Sequence, residues 1–217
     1  MEPLSRKRRP QQKRSHALVG SVVTALEQLI ERTQDLSELS MRAIAHRAGV
    51  GVGSIYEYFH GQDALFDEFL AELTERNFRH LLDFVETRPE LPLPELVTQL
   101  LDRVMALYLS APGRTKVAIA IIFRLGRADL VVRVRDRFAE RCAERVRKDH
   151  PQLDRAQVEQ VMRTLMDAVM GVVMAELWRP TPDVRKTLRL LTDALFTQLL
   201  GISLWGRAGE ATHQRTL

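Results

Sequence analysis

The residues best suited to chemistry lie close together near the N-terminus. Ser40, Arg42, Ser54, Tyr56 and Tyr58 carry hydroxyl or guanidinium groups within nineteen positions. Hydroxyls and guanidinium groups of this kind hydrogen-bond to phosphate oxygens, which fixes a protein's register on a nucleic acid. Residues 1 to 14 add Arg6, Lys7, Arg8, Arg9, Lys13 and Arg14 against the single acid Glu2. A basic block of that length reads as a flexible arm drawn to phosphates.

Other chemistries find little support. His16, His46, His60, His80, His150 and His213 have no metal-ligand spacing to one another or to Cys142, so no metal is expected. No glycine loop with a following lysine is present to cradle a nucleotide phosphate. Asp167 and Glu176 lie nine positions apart on one expected helix and make no acid/base pair. The reading is of a non-enzyme without a cofactor.

The 217 residues, 45% of them hydrophobic, suffice for a sizeable core. One cysteine excludes an intramolecular disulfide and fits a reducing, cytoplasmic compartment. The longest purely apolar run is Val117 to Phe123, far short of the roughly 20 residues that span a bilayer. No membrane association and no signal peptide are expected.

The periodicity is helical almost throughout, which predicts an all-α fold of about nine helices. The first runs from about 15 to 32. Ser40 caps a second, with Met41, Ile44, Ala45 and Ala48 on its apolar face. Gly49 breaks the chain, and a third short helix carries Val50, Ile55 and Phe59. Longer helices are expected from about 62 to before Pro89, then over 94–110, 115–125, 128–149, 155–178 and 182–203. Asp154 and Gln157 have capping-box spacing. The expected organisation is an arm at 1–14, a helix-turn-helix domain at 15–61, a helical domain at 62–205 and a tail at 206–217.

The stretch from Ser40 to Phe59 resembles the DNA-binding segment of the TetR family. Ile44-Ala45, Ala48-Gly49-Val50, Gly53, Ile55-Tyr56, Tyr58-Phe59 and Leu65 stand in register with that family's pattern. Ser40 stands for its threonine and Asp63 for its glutamate; the likeness covers about residues 15 to 70. It implies a homodimeric transcriptional regulator, a repressor on a near-palindromic operator, released by a small-molecule effector. An all-helical ligand-binding protein with weakened DNA binding, or an activator, remains open beside it.

Carried over residue by residue, the resemblance implies that Ser40, Arg42, Val52, Gly53, Ser54, Tyr56, Tyr58 and Gln62 meet double-stranded DNA. The chain departs from the family at several of these. Gly51 replaces a serine and Gln62 a lysine, while Glu57 adds a negative charge. Val52, where a polar residue is common, is suited to contact with a thymine methyl. The grip is therefore expected to rest on Arg42, the two tyrosines and the basic arm.

The resemblance also implies dimerisation through the last two long helices, rich in Val158, Val161, Leu165, Val169, Val172, Val173, Leu188, Leu191, Leu195, Leu199 and Ile202, although the same residues read equally as an intramolecular core, with the two roles on different faces. Candidate effector contacts are Met105, Tyr108, Phe123, Arg124, Met166, Met170, Met174 and Trp178. Methionine walls adapt to varied apolar ligands, but the same stripe also reads as plain core. Arg124 either meets an anionic or carbonyl group or pairs with an acid such as Asp167. The arginines at 133, 135, 137, 141, 145 and 147 alternate with acids, as on a solvated, salt-bridged face.

Overall fold

A computed structural model describes residues 13–33 and 35–205, with side chains from Ala17 onward. The basic arm and the tail, apart from the first residues of α1, lie outside the described residues. These are helical and contain no strand: α1 (Lys13–Ile30), α2 (Met41–Ala48), α3 (Val52–Tyr56), α4 (Gln62–Glu86), α5 (Leu93–Leu109), α6 (Pro112–Leu125), α7 (Ala128–Asp149), α8 (Arg155–Trp178) and α9 (Val184–Leu195).

Two compact units divide the chain. One holds the described residues up to Asn77 together with Ala111–Val132; the other holds Phe78–Ser110 and the described residues from Arg133 onward. The division does not fall at 61/62, where the helix pattern alone puts it. The chain crosses between units within α4, between α5 and α6, and within α7.

In the first unit, α1 presents Val19, Val22, Val23, Leu26 and Ile30, all buried, at helical spacing. Ile44 and Ala45 of α2, Ile55 of α3 and Phe59 beyond it close the same core. Leu65, Phe66, Phe69 and Leu70 of α4 join them, as do Val117, Ala118, Ile121 and Leu125 of α6. Thus α6, expected in the C-terminal domain, builds the N-terminal core. Its helix opens with Pro112, whose missing N–H costs nothing in a first turn, and starts three residues earlier than the periodicity suggests.

In the second unit, the later part of α4 supplies Phe78, Leu81, Phe84 and Val85 to a core shared with α5, α7, α8 and α9. Phe78 and Phe138 meet edge to face at 6.2 Å. Val158, Val161, Leu165, Val169, Val173 and Leu188, expected at a dimer surface, are buried within the single chain. The last helix is shorter than expected: it begins at Val184 and passes into a wider π turn at Phe196–Leu200, ended by Gly201 at φ 68°. Half of the capping box forms. Asp154 accepts from the Gln157 backbone N–H at 2.8 Å, but the Gln157 side chain donates to the Leu199 carbonyl instead. Among the described residues, no single helix is long and apolar enough to cross a membrane.

Candidate nucleic-acid interface

Local sequence explains how the helix-turn-helix is set. Ser40 is extended (φ −70°, ψ 153°), and its hydroxyl accepts from the Ala43 backbone N–H at 3.2 Å, an N-cap that starts α2. Gly49 ends α2 in the left-handed region at φ 68°, where a side chain would strain the backbone. The Val50 N–H then returns to the Ala45 carbonyl at 3.1 Å, closing the turn. Gly51 begins α3 without a side-chain cap. The turn before α2 is shaped as well: the Asp35 carboxylate accepts from the Ser37 N–H at 2.8 Å, which lowers the pKa of Asp35.

This frame places Ser40, Arg42, Val52, Tyr56 and Gln62 around one open groove, with Leu36, Ser37 and Met41 beside them. Arg42 and Tyr56 are exposed; Val52 is half-buried and also touches the core. Gly53 is exposed with open space where a Cβ would stand. Ser54 and Tyr58 are half-buried, and Tyr58 packs against the core. Gly53, Ser54 and Tyr58 do not line the groove. Gln62 is tied inward, its amide donating to the Leu39 carbonyl.

One further residue lines this groove, and it was expected elsewhere. Arg124 of α6 donates to Asp63 of α4 through Nε at 3.0 Å and lies 2.8 Å from it at Nη2. Its expected alternative partner, Asp167, pairs with Arg135 at 2.7 Å, and those bonds raise the pKa of Arg135. Next to it Arg127, in the turn after α6, forms a buried ion pair with Asp67 and also reaches Asp129 at 3.2 Å. No sequence signal links partners sixty positions apart; only packing of α6 onto α4 joins them.

The proposed effector contacts are divided between the two units. Phe123 is 79% exposed in the first unit, and Trp178 is 60% exposed at the end of α8. Met105 is buried, while Tyr108, Met166 and Met174 pack partly buried on the second core and Met170 is half-buried. That core contains an apolar cavity of about 50 Å³, lined by residues including Leu100, Val104, Phe138, Cys142, Arg145, Leu165, Met166, Val169 and Thr192. Drug-sized ligands occupy about 300–1,000 Å³, so filling it with one requires the walls to part.

Arg145 is the charged residue on that wall, and it departs from the solvated face expected for α7. It is 9% exposed. Nη1 donates to Asp149 at 2.5 Å and Nη2 to the Leu91 carbonyl at 2.8 Å, while Nε makes no hydrogen bond among the described residues. Burial pushes the Cys142 thiol up to about 12, so it stays neutral.

Residues 23–69 match the profile of the bacterial regulatory proteins of the tetR family, and residues 92–199 match a tetracyclin repressor-like C-terminal domain. An HTH-type transcriptional regulator of Staphylococcus aureus (strain MRSA252) is 25% identical over 107 residues, 49% of this chain and 54% of the relative. The match thus spans about half the length of that relative. A crystal structure of a TetR transcriptional regulator from Rhodococcus sp. RHA1 has a TM-score of 0.60 at 20% identity, covering 86% of this chain and 100% of the other. A TetR-family regulator from Streptomyces coelicolor gives 0.58 at 20% identity, with 84% and 99% covered. These two show the same fold. With both of its domains matched in order, the chain belongs to the TetR family of bacterial transcriptional regulators.

Proposed function

We propose that the protein represses transcription by binding a near-palindromic DNA site as a dimer, and that a small molecule releases it. The observation that carries this reading is the groove at the helix-turn-helix. Ser40, Arg42 and Tyr56 meet there around a surface whose lining includes two arginines and no carboxylate. Such a set of donors suits phosphate oxygens, with Val52 left to make apolar contact with a thymine methyl.

For the dimer, the uncovered face of α8 offers Thr164, Gly171, Ala175 and Trp178, all exposed and at helical spacing. Open space surrounds the position of a Cβ at Gly171, so a partner helix can approach closely. On α9, Leu190 is a further large apolar residue left 62% exposed. The buried residues of α8 and α9 named from the periodicity have no part in that face.

For the effector, the cavity in the second unit is the candidate. Its walls favour a largely apolar molecule, and a hydrogen-bond acceptor would satisfy the Arg145 Nε. Binding would act on the helix-turn-helix through the segments that join the units, α4 above all, by favouring one of two arrangements.

A gel shift with the DNA upstream of the protein's own gene tests this function. A discrete complex is expected with wild-type protein, weakened in Arg42→Ala and Tyr56→Phe. A complex no stronger than that with random DNA would favour a ligand-binding protein without operator recognition. A reporter on that DNA, silenced when the protein is present, distinguishes repression from activation.

A further inference from the structure

We propose that Arg124, on α6 and outside the helix-turn-helix, is a DNA-phosphate contact that takes over the charge missing at Gln62. This rests on the DNA-binding reading above and adds an element to it.

The case begins with what Gln62 does. Its position at the start of α4 lacks a cation, and its amide is spent on the Leu39 carbonyl. Glu57 adds an acid nearby in sequence. Cationic contacts are what secure affinity for a polyanion, so a loss here calls for a replacement. Arg124 lines the same groove as Ser40, Arg42 and Tyr56.

Its geometry is that of a held donor. Nε and Nη2 both address one oxygen, Oδ1 of Asp63, at 3.0 and 2.8 Å. The guanidinium carbon lies 5.6 Å from the Phe66 ring centroid. Nη1 makes no hydrogen bond among the described residues, and the side chain is 42% exposed. A planar guanidinium fixed along one edge keeps its other edge for a phosphate and loses little freedom on binding. A plain structural role would end at the Asp63 pair, and exposed pairs of that kind contribute little to stability.

The test is the salt dependence of binding to a mixed-sequence DNA duplex, followed by fluorescence anisotropy between about 50 and 200 mM salt. Each protomer of the dimer loses one phosphate contact, so the magnitude of the slope of log K against log salt should fall by about 1.8 in Arg124→Ala, about 0.9 per contact. Arg124→Lys should keep the wild-type slope. The double variant Asp63→Asn/Arg124→Gln neutralises both partners and keeps an amide pair that holds α6 on α4; its slope should stay reduced. An unchanged slope in folded Arg124→Ala, or a wild-type slope in the double variant, overturns the assignment. Wild-type protein that binds no duplex in this salt range overturns the DNA-binding reading itself, a result separate from either.

Discussion

Asp67 of α4 and Arg127, just past the end of α6, form an ion pair whose side chains are 8% and 7% exposed. One turn earlier on α4, Asp63 pairs with Arg124 in a more open setting. Arg124 projects from α6 itself, whereas Arg127 is set by Gly126, which ends α6 at φ 64°; the Arg127 N–H then returns to the Ile122 carbonyl at 2.9 Å. The pairs clamp α6 to the helix that follows the helix-turn-helix.

Breaking the buried rung leaves a charge without its partner in low dielectric. Asp67→Asn should lower the stability of the folded chain by about 3 kcal/mol, the lower end of the range for such pairs, because Asp129 still serves the Arg127 Nε. Asp63→Asn should cost less than about 1 kcal/mol. Urea denaturation of the two variants side by side reads the difference; equal losses would show that burial does not set the strength of these contacts.

Gly49 tests the turn. Its φ of 68° is costly for any residue with a Cβ, although open space surrounds the position itself. Gly49→Ala should lose about 1–2 kcal/mol from backbone strain alone. Gly49→Asn should lose less, since asparagine tolerates this conformation better. The order of thermal midpoints, glycine above asparagine above alanine, checks the prediction.

Cys142 predicts a pH dependence. Its thiol is raised from 9.0 to about 12 by burial, so the folded state holds a proton that the unfolded state releases earlier. The associated stability is complete below pH 9 and is lost as pH rises toward about 12, by ~1.4 kcal/mol per unit. Cys142→Ala removes this component. The difference in stability between wild type and variant should therefore shrink across that window and be constant below it. The same burial predicts slow alkylation of the native thiol and fast alkylation in urea.

Features fixed by neighbouring residues were legible in the sequence. Ser40 capping α2, Gly49 ending it, and Ile44, Ala45, Ile55 and Phe59 turning inward all follow from short-range pattern, and the structure has them. The capping role of Asp154 follows in the same way. What sequence could not supply is what distant helices do to one another. Apolar periodicity marks α6 as amphipathic but does not say which core it joins. For that reason Arg124 and Phe123 read from sequence as candidates for a ligand site, whereas both lie in the unit of the helix-turn-helix. Arg145 reads as one more arginine on a charged helix until Leu91 and Asp149 are seen to bury it. The valines of α8 read equally well as a dimer face or a core, because periodicity reports that a face is apolar and not what covers it.

The most direct test of the central claim is selection of bound duplexes from a random DNA pool by the full-length protein. A dimer using the groove around Ser40, Arg42 and Tyr56 should enrich a two-fold symmetric site, its half-sites separated by about 34–36 Å or a related spacing. Arg42→Ala should weaken that enrichment. A pool that remains random after repeated rounds, or an enriched site without two-fold symmetry, would contradict the account.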